Sequence, residues 1–152
     1  MQIWVDADAC AVKSEIERLA GRRGMAVTHV CGLDSMNRQG EGIRVVIVPG
    51  GPDAADDWIL AQCEAGDLVL TDDVPLAASA IKLGAFVLEF RGRELHADNI
   101  PLRVQVRDFA AGLREQGEMT SGPPPFSAKD RKAFTSALAR ILDRDPGGGI
   151  RP

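Results

Sequence analysis

Histidine and cysteine, the side chains that most often act as bases, nucleophiles or zinc ligands, are scarce in this chain. Only two of the 152 residues are histidines and three are cysteines. The cysteines lie far apart and form no C-x-x-C pair, so neither structural zinc nor a disulfide framework is expected. A thiol nucleophile at Cys10 would need a base, and His29 falls in a stretch typical of a buried strand. We therefore interpret Cys10 as a packing residue with a free thiol.

Long apolar runs and glycine-rich nucleotide motifs are also missing. No apolar stretch approaches membrane-spanning length, and no basic segment precedes an apolar one at the start of the chain. These absences predict a cytoplasmic protein without a membrane partner. The chain contains neither G-x-G-x-x-G nor G-x-x-x-x-G-K-[ST], so we expect no dinucleotide and no P-loop nucleotide. Its length and its 45% apolar content suit one globular domain with a real core.

Charge is distributed unevenly along the chain. Residues 1–88 carry 7 basic and 13 acidic side chains, whereas residues 89–152 carry 11 basic and 9 acidic ones. Fourteen of the 18 basic residues are arginine, the better bidentate partner for phosphate. An acidic half able to hold metal beside an arginine-rich half suits a polyanionic substrate, although a pI of about 5.2 is not typical of a nucleic-acid binder.

Apolar strands alternate with amphipathic helices over the first two-thirds of the chain. This alternation predicts an α/β fold with three layers, in which helices cover both faces of a mostly parallel, five-stranded sheet. The predicted strands are 2–6, 26–31, 43–48, 67–71 and 85–90, and the predicted helices between them are 10–23, 54–65 and 75–83. Helices within 98–116 and 128–144 form a C-terminal extension. One domain is expected over residues 1–144, followed by a flexible tail at 145–152.

Two pairs of aspartates follow apolar strands, and they are the most informative feature of the sequence. Asp6 and Asp8 come after the first strand, and Asp72 and Asp73 come after the fourth. If the sheet is doubly wound, these two strands are neighbours and both pairs lie at the carboxyl edge, where open α/β sheets bind ligands. Carboxylates held together repel one another unless a cation is present. The pattern therefore indicates a Mg²⁺ or Mn²⁺ site, with phosphate as the other partner.

A third acidic cluster begins the helix after the third strand. Asp53 is placed to cap that helix, and Asp56 lies three residues later on the same side. Metal binding and simple capping both remain open for these residues. For Asp57 a solvated position is at least as well supported as a ligand role.

Three further residues are candidate substrate contacts at the same edge. Thr71 could orient a carboxylate or touch a phosphate, or it could simply close a turn. Arg91 and Arg93 follow the fifth strand and could bind phosphate or lie in solvent.

Several motifs together resemble the YaiI/YqxD family of small, uncharacterised bacterial proteins. They are WVDADAC (4–10), Lys13 with Glu15 and Ile16, DAAD (53–56), GDLVLTDDVPLAA (66–78), RGRE (91–94), RDF (107–109), LR (113–114), GP (122–123) and KDRKAF (129–134). The resemblance covers roughly residues 2–142. The chain departs from the pattern at Ala11, where a proline is usual, and at Ser121, which replaces a glycine. Neither change removes a candidate ligand.

The resemblance also implies a relation to the metal-dependent PIN and NYN nucleases, and hence a PIN-like fold. The recurring acids of the family match Asp6, Asp8, Asp53, Asp56 and Asp73. Asp57 and Asp72 fall where other members vary. The arginines of the family match Arg107, Arg114 and Arg131, which could reach the site or only brace the helices.

These observations favour a Mg²⁺- or Mn²⁺-dependent phosphodiesterase that acts on RNA in the manner of a ribonuclease. The predicted metal ligands are Asp6, Asp8, Asp53, Asp56 and Asp73, the predicted catalytic residues are Asp6, Asp8, Asp56 and Asp73, and the predicted substrate contacts are Thr71, Arg91 and Arg107.

Two alternatives stay open. One is a phosphatase of the haloacid-dehalogenase type, in which Asp6 would be the nucleophile and Asp8 the general acid. That reaction also needs a lysine on the active edge, and none of the four lysines is convincingly placed. The other alternative is a non-catalytic module that binds RNA or protein. The sequence leaves the oligomeric state open.

Overall fold

The computed structural model describes residues 1–32, 40–51, 53–117 and 124–144. The tail predicted at 145–152 lies outside these residues.

A mostly parallel sheet of six strands forms the middle of the fold. Its strands are β1 (Ile3–Asp6), β2 (Val27–Cys31), β3 (Ile43–Ile47), β4 (Leu68–Leu70), β5 (Phe86–Leu88) and β6 (Glu94–Leu95). The strand order is β3-β2-β1-β4-β5-β6, and every pairing is parallel except that between β5 and β6. The predicted adjacency of the first and fourth strands is confirmed, with Ile3 opposite Leu68.

The prediction of five strands was wrong by one. The sixth strand has only two residues and pairs antiparallel to β5 through a tight hairpin, in which the amide of Glu89 donates to the carbonyl of Arg93 at 2.9 Å. A two-residue strand has too few side chains to show an alternating pattern, so no periodicity along the chain indicates it.

Within the described ranges, five helices flank the sheet. They are α1 (Lys13–Gly21), α2 (Ala54–Gln62), α3 (Val74–Lys82), α4 (Ile100–Glu115) and α5 (Ala128–Arg144). The first helix begins at Lys13 rather than at the predicted residue 10, which leaves a longer loop after β1. None of these helices is long and apolar enough to cross a membrane, as far as the structure describes the chain.

Alternating residues of the central strands enter two separate cores. Ile3 and Val5 of β1 pack on one face of the sheet together with α1 and α5. Trp4, between them, packs on the other face together with α2 and α3. This alternation follows from the two-residue period of a strand, and it gives the predicted three layers.

The last helix is part of the core and not an extension added to it. Five apolar side chains of α5 are buried against β1 and α1: Phe134, Ala137, Leu138, Ile141 and Leu142. Its start carries a capping box, because the amide of Asp130 donates to Ser127 Oγ at 3.2 Å and the amide of Ser127 donates to Asp130 Oδ2 at 3.0 Å.

Gly92 brings the β5–β6 hairpin against α5. Its φ is +96°, and a Cβ added there would lie 2.7 Å from the carbonyl carbon of Ala133. Only glycine satisfies both the positive φ and this close approach.

By contrast, α4 is the least buried helix. It contacts α3, but none of its 16 residues is buried. Leu102, Val106 and Phe109 are large apolar side chains that it leaves exposed.

Candidate functional site

The predicted acidic edge is built where β1 and β4 end side by side. Asp6 is the last residue of β1, and Thr71 follows β4 and is completely buried. Thr71 Oγ1 donates to Asp6 Oδ2 at 2.8 Å and accepts from the amide of Asp73 at 2.9 Å. One hydroxyl therefore fixes both loops relative to each other. This is the orienting role considered for Thr71, whereas its contact to phosphate stays a prediction.

Asp73 also begins the helix that leaves this edge. It is the N-cap of α3, and its Oδ1 accepts from the amide of Leu76 at 2.9 Å. Pro75, in the first turn of α3, suits a helix start because it needs no hydrogen bond there. The capping bond fixes the carboxylate at the helix end, where the partial positive charge of the helix favours it.

Asp56 and Asp6 are close enough to other carboxylates to change their protonation. Burial, followed by the charges of Asp73, Asp6 and Asp53 and a hydrogen bond with Asp73, raises the pKa of Asp56 to about 7. Burial also raises the pKa of Asp6, opposed by the Thr71 hydrogen bond and reinforced by the charges of Asp73, Asp8 and Asp72. We name Asp6, Asp56 and Asp73 the carboxylate cluster.

Two further predicted ligands lie around this cluster. Asp8 Oδ2 accepts from the amide of Gly32 at 2.9 Å, which ties the loop after β1 to the end of β2. Asp53 occupies the predicted N-cap position of α2, but its side chain makes no capping hydrogen bond. Its backbone is in the αR region, with φ −91° and ψ −9°, whereas a capping side chain usually requires an extended backbone. Asp57 is exposed, as expected for a solvated position.

The donor set of the carboxylate cluster suits a hard divalent ion. All its donors are carboxylate oxygens, the ligands that Mg²⁺ and Mn²⁺ prefer. Within the described part of the chain, no three acidic, histidine or cysteine side chains converge in an arrangement ready to hold a metal ion. Burial and the charges of Asp73, Asp6 and Asp53 raise the pKa of Asp56, so its carboxyl group keeps a proton more readily than an ordinary aspartate does. Metal binding at this position would require the loss of that proton.

Two adjoining cavities open beside the acidic edge, and arginines line both. The larger has a volume of about 550 Å³ and the smaller about 270 Å³. The larger is lined by Asp72, Glu89, Arg91, Arg93, Arg103 and Asp130. The smaller is lined by Asp72, Asp73, Val74, Pro75, Arg103, Val106, Arg107, Ala110 and Arg114. Asp72 and Arg103 belong to both, and Asp73 links the smaller cavity to the carboxylate cluster.

The two arginines predicted to contact substrate differ in what holds them. Arg91 donates to Asp130 Oδ2 at 3.1 Å and to the carbonyl of Pro124 at 2.5 Å, and it lies over the ring of Phe126. These contacts join the β5–β6 hairpin to the start of α5. Arg107 pairs with its exposed neighbour Asp108 at 3.1 Å and lines the smaller cavity. A phosphate contact stays a prediction for both.

Sequence reasoning missed Arg103, which lies between the two cavities. The buried Glu89 holds its guanidinium with two hydrogen bonds of 3.3 and 3.1 Å. The four-residue spacing of Arg103 and Arg107 on one helix was the signal that could have found it. Arg131 instead binds Glu15 at 2.7 Å and the carbonyl of Ala11, so it braces α5 against α1.

Cys10 and His29 have the structural roles expected from the sequence. Burial raises the pKa of the Cys10 thiol to about 11, which opposes a nucleophilic thiolate. His29 is fully buried and lies 2.8 Å from Glu17. The ammonium of Lys13 donates to the carbonyl of Cys10 at 2.8 Å and thereby closes the loop after β1.

The chain is an α/β protein with a carboxylate cluster at the carboxyl edge of its parallel strands, beside cavities that arginines line. The chain belongs to the YaiI/YqxD family, since the family model described as "Uncharacterized BCR, YaiI/YqxD family" matches residues 4–144. The predicted resemblance is therefore confirmed.

The chain is similar to curated relatives over nearly its whole length. It is 41% identical over 146 residues to a UPF0178 protein of Pseudomonas fluorescens (strain SBW25), covering 95% of this chain and 97% of that protein. It is 44% identical over 142 residues to a UPF0178 protein of Mesorhizobium japonicum, covering 93% and 92%. No solved structure gives a significant match.

Proposed function

We propose that this protein is a Mg²⁺- or Mn²⁺-dependent phosphodiesterase that cleaves RNA. The observation that carries the proposal is that Asp6, Asp56 and Asp73, from three separate elements, lie near enough to influence one another's charge, and that Asp73 lines a cavity together with Arg103, Arg107 and Arg114. Carboxylates alone would repel a phosphodiester, and arginines alone would bind it without activating water. A site with both suits phosphoryl transfer assisted by a divalent ion.

Each residue of the edge has a defined part in this proposal. Asp6 and Asp73 would hold the ion, and Asp8, Asp53 and Asp56 would complete its surroundings directly or through water. When bound, the ion supplies a Lewis acid for a phosphoryl oxygen and a water molecule of lowered pKa. Thr71 keeps Asp6 in place through its hydrogen bond, and the arginines of the smaller cavity orient the sugar–phosphate backbone. The relation to PIN and NYN nucleases belongs to the same proposal.

Calorimetric titration with Mn²⁺ tests the metal site directly. We expect the wild type to bind Mn²⁺ and the Asp6→Asn/Asp73→Asn double variant to lose binding. Asparagine keeps the shape of both side chains and can still cap α3, so the fold should persist. Asp57→Asn is the matched control, because Asp57 is an exposed acid of the same neighbourhood and lies outside the carboxylate cluster.

RNA cleavage assays on the same proteins then test the reaction. We expect Mn²⁺-dependent cleavage by the wild type and by Asp57→Asn, and its loss in the double variant. Mn²⁺ binding unchanged in the double variant would overturn the ligand assignment. Metal binding without any cleavage would point to the non-catalytic module, and a trapped aspartyl-phosphate on Asp6 would point to the phosphatase.

A further inference from the structure

We propose that α4 binds single-stranded nucleic acid, with its arginines on successive phosphates and Phe109 stacked against a base. The inference rests on the proposed function, since it gives that site a strand-binding surface and specifies an unpaired strand. The observations that support it are two neighbouring faces of α4, one apolar and one lined with arginines.

The first face is an apolar stripe that the described protein leaves uncovered. Leu102, Val106 and Phe109 follow the i, i+4, i+7 spacing of one helix face. Their exposures are 66%, 54% and 70%, respectively. An exposed aromatic ring within such a stripe is typical of a binding surface.

The second face carries the arginines of the smaller cavity. Arg103, Arg107 and Arg114, with Ala110 among them, follow the i, i+4, i+7, i+11 spacing of one helix face. Arg103 is already paired with Glu89, so Arg107 and Arg114 are the arginines available to a strand. They lie about 10 Å apart along the helix axis, enough to contact successive phosphates. The ion pair of Arg107 is with its exposed neighbour Asp108, and such pairs contribute little, so a phosphate can replace it.

Val106 connects the two faces because it lines the smaller cavity and also belongs to the apolar stripe. A ligand that follows α4 therefore meets cations on one side and an apolar, partly aromatic surface on the other. Single-stranded nucleic acid has this pattern of charged backbone and flat bases, and proteins bind it through basic grooves with aromatic platforms. A duplex keeps its bases stacked inside and has no free face for Phe109.

A protein partner fits these observations less well. The apolar stripe has three residues, whereas a stable protein interface uses about 20–30 residues a side. The neighbouring arginines match a polyanion by charge. The smaller cavity also contains Asp73, so a strand that lies along α4 leads to the carboxylate cluster.

Fluorescence anisotropy with a short labelled RNA, in EDTA and at several salt concentrations, tests the inference. The same sequence as duplex RNA and as single-stranded DNA provides the comparison arms. We expect the wild type to bind the single strands more tightly than the duplex. Phe109→Ala should weaken single-strand binding about tenfold, whereas Phe109→Trp should preserve it.

Arg107→Ala and Arg114→Ala should each lower the salt dependence of log K by about 0.7, the value of one phosphate contact on a single strand. Leu83→Ala and Arg140→Ala are the controls, since they remove an exposed leucine at the far end of α3 and an exposed arginine of α5. Both should bind like the wild type.

Equal affinity for duplex and single strand, no binding at all, or unchanged binding by Phe109→Ala would overturn the inference. The inference would also be overturned if sedimentation showed that the wild type is a dimer and that Phe109→Ala makes it a monomer without changing its affinity for RNA. Because EDTA removes divalent ions, these outcomes are separate from the Mn²⁺ titration. A protein that binds Mn²⁺ but does not bind the single-stranded RNA would refute this inference and leave the metal site unaffected.

Discussion

At the scale of single residues, the acidic edge depends on side chains that each do two things. Asp73 caps α3 and belongs to the carboxylate cluster, and the hydroxyl of Thr71 binds both Asp6 and the amide of Asp73. These contacts keep like charges close together although they repel one another. Burial and the charges of Asp73, Asp6 and Asp53 raise the pKa of Asp56 to about 7, so a proton on this carboxyl group can relieve part of the repulsion.

The proton on Asp56 predicts how the stability of the metal-free protein depends on pH. The pKa of Asp56 is about 7 in the fold and near the ordinary aspartate value of 3.8 when unfolded. Between these values the folded state holds a proton that the unfolded state has lost, so stability falls as pH rises from about 4 to 7. Asp56→Asn should remove much of this fall and stabilise the protein at pH 8 by about 1 kcal/mol, since solvent screens a partly exposed group.

Urea unfolding in EDTA at pH 5 and pH 8 measures the effect. Some pH dependence should remain in the variant, because burial raises the pKa of Asp6 in the same direction. Asp57→Asn serves as the reference and should keep the full wild-type dependence. Equal stability of wild type and Asp56→Asn at pH 8 would contradict the prediction.

At the scale of elements, the β5–β6 hairpin and α5 fit together through one glycine. Gly92→Ala should destabilise the protein by about 2–4 kcal/mol, because alanine is strained at φ +96° and its Cβ would overlap the backbone of Ala133. Gly112→Ala is the matched control. Gly112 lies within α4 with nothing within 4 Å of its Cβ position, so alanine there should stabilise by about 0.5–1 kcal/mol.

Denaturant unfolding of both variants measures the two effects: Gly92→Ala should lower the free energy of unfolding, and Gly112→Ala should raise it. A Gly92→Ala protein as stable as the wild type would show that the hairpin can move away from α5 at little cost.

Some features of the strands and helices could be predicted from the sequence, and others could not. The adjacency of the first and fourth strands, which places Asp6 and Asp73 at one edge, was predicted from apolar runs on the assumption of the doubly wound plan. The place of Arg103 was not predicted, because it depends on how α4 docks against Glu89. The missing cap at Asp53 depends on its backbone angles, which residue type alone does not fix.

At the scale of the whole molecule, the sheet separates two cores that draw on different parts of the chain. The core shared by α1 and α5 combines residues from both ends, whereas the opposite core is built mainly from the middle of the chain. The last helix is therefore needed for one entire face of the sheet.

Two phenylalanines of the C-terminal region should reveal this difference. Phe134 on α5 is fully buried, and Phe134→Ala should cost about 3–5 kcal/mol of unfolding free energy. Phe109 on α4 is 70% exposed, and Phe109→Ala should change stability by less than about 0.5 kcal/mol. Thermal unfolding of the two variants distinguishes them, and similar losses would contradict the placement of α5 in the core.

The packing of α5 on α1 has a consequence for how the protein is made in the cell. A ribosome synthesises α1 before α5, so the growing chain carries one uncovered sheet face until α5 follows. The contacts that close this face join residues more than 100 positions apart, and they form only after α5 has been made. Until then the apolar side chains of β1 and α1 lack their partners on α5, so we expect the incomplete chain to expose apolar surface on this face.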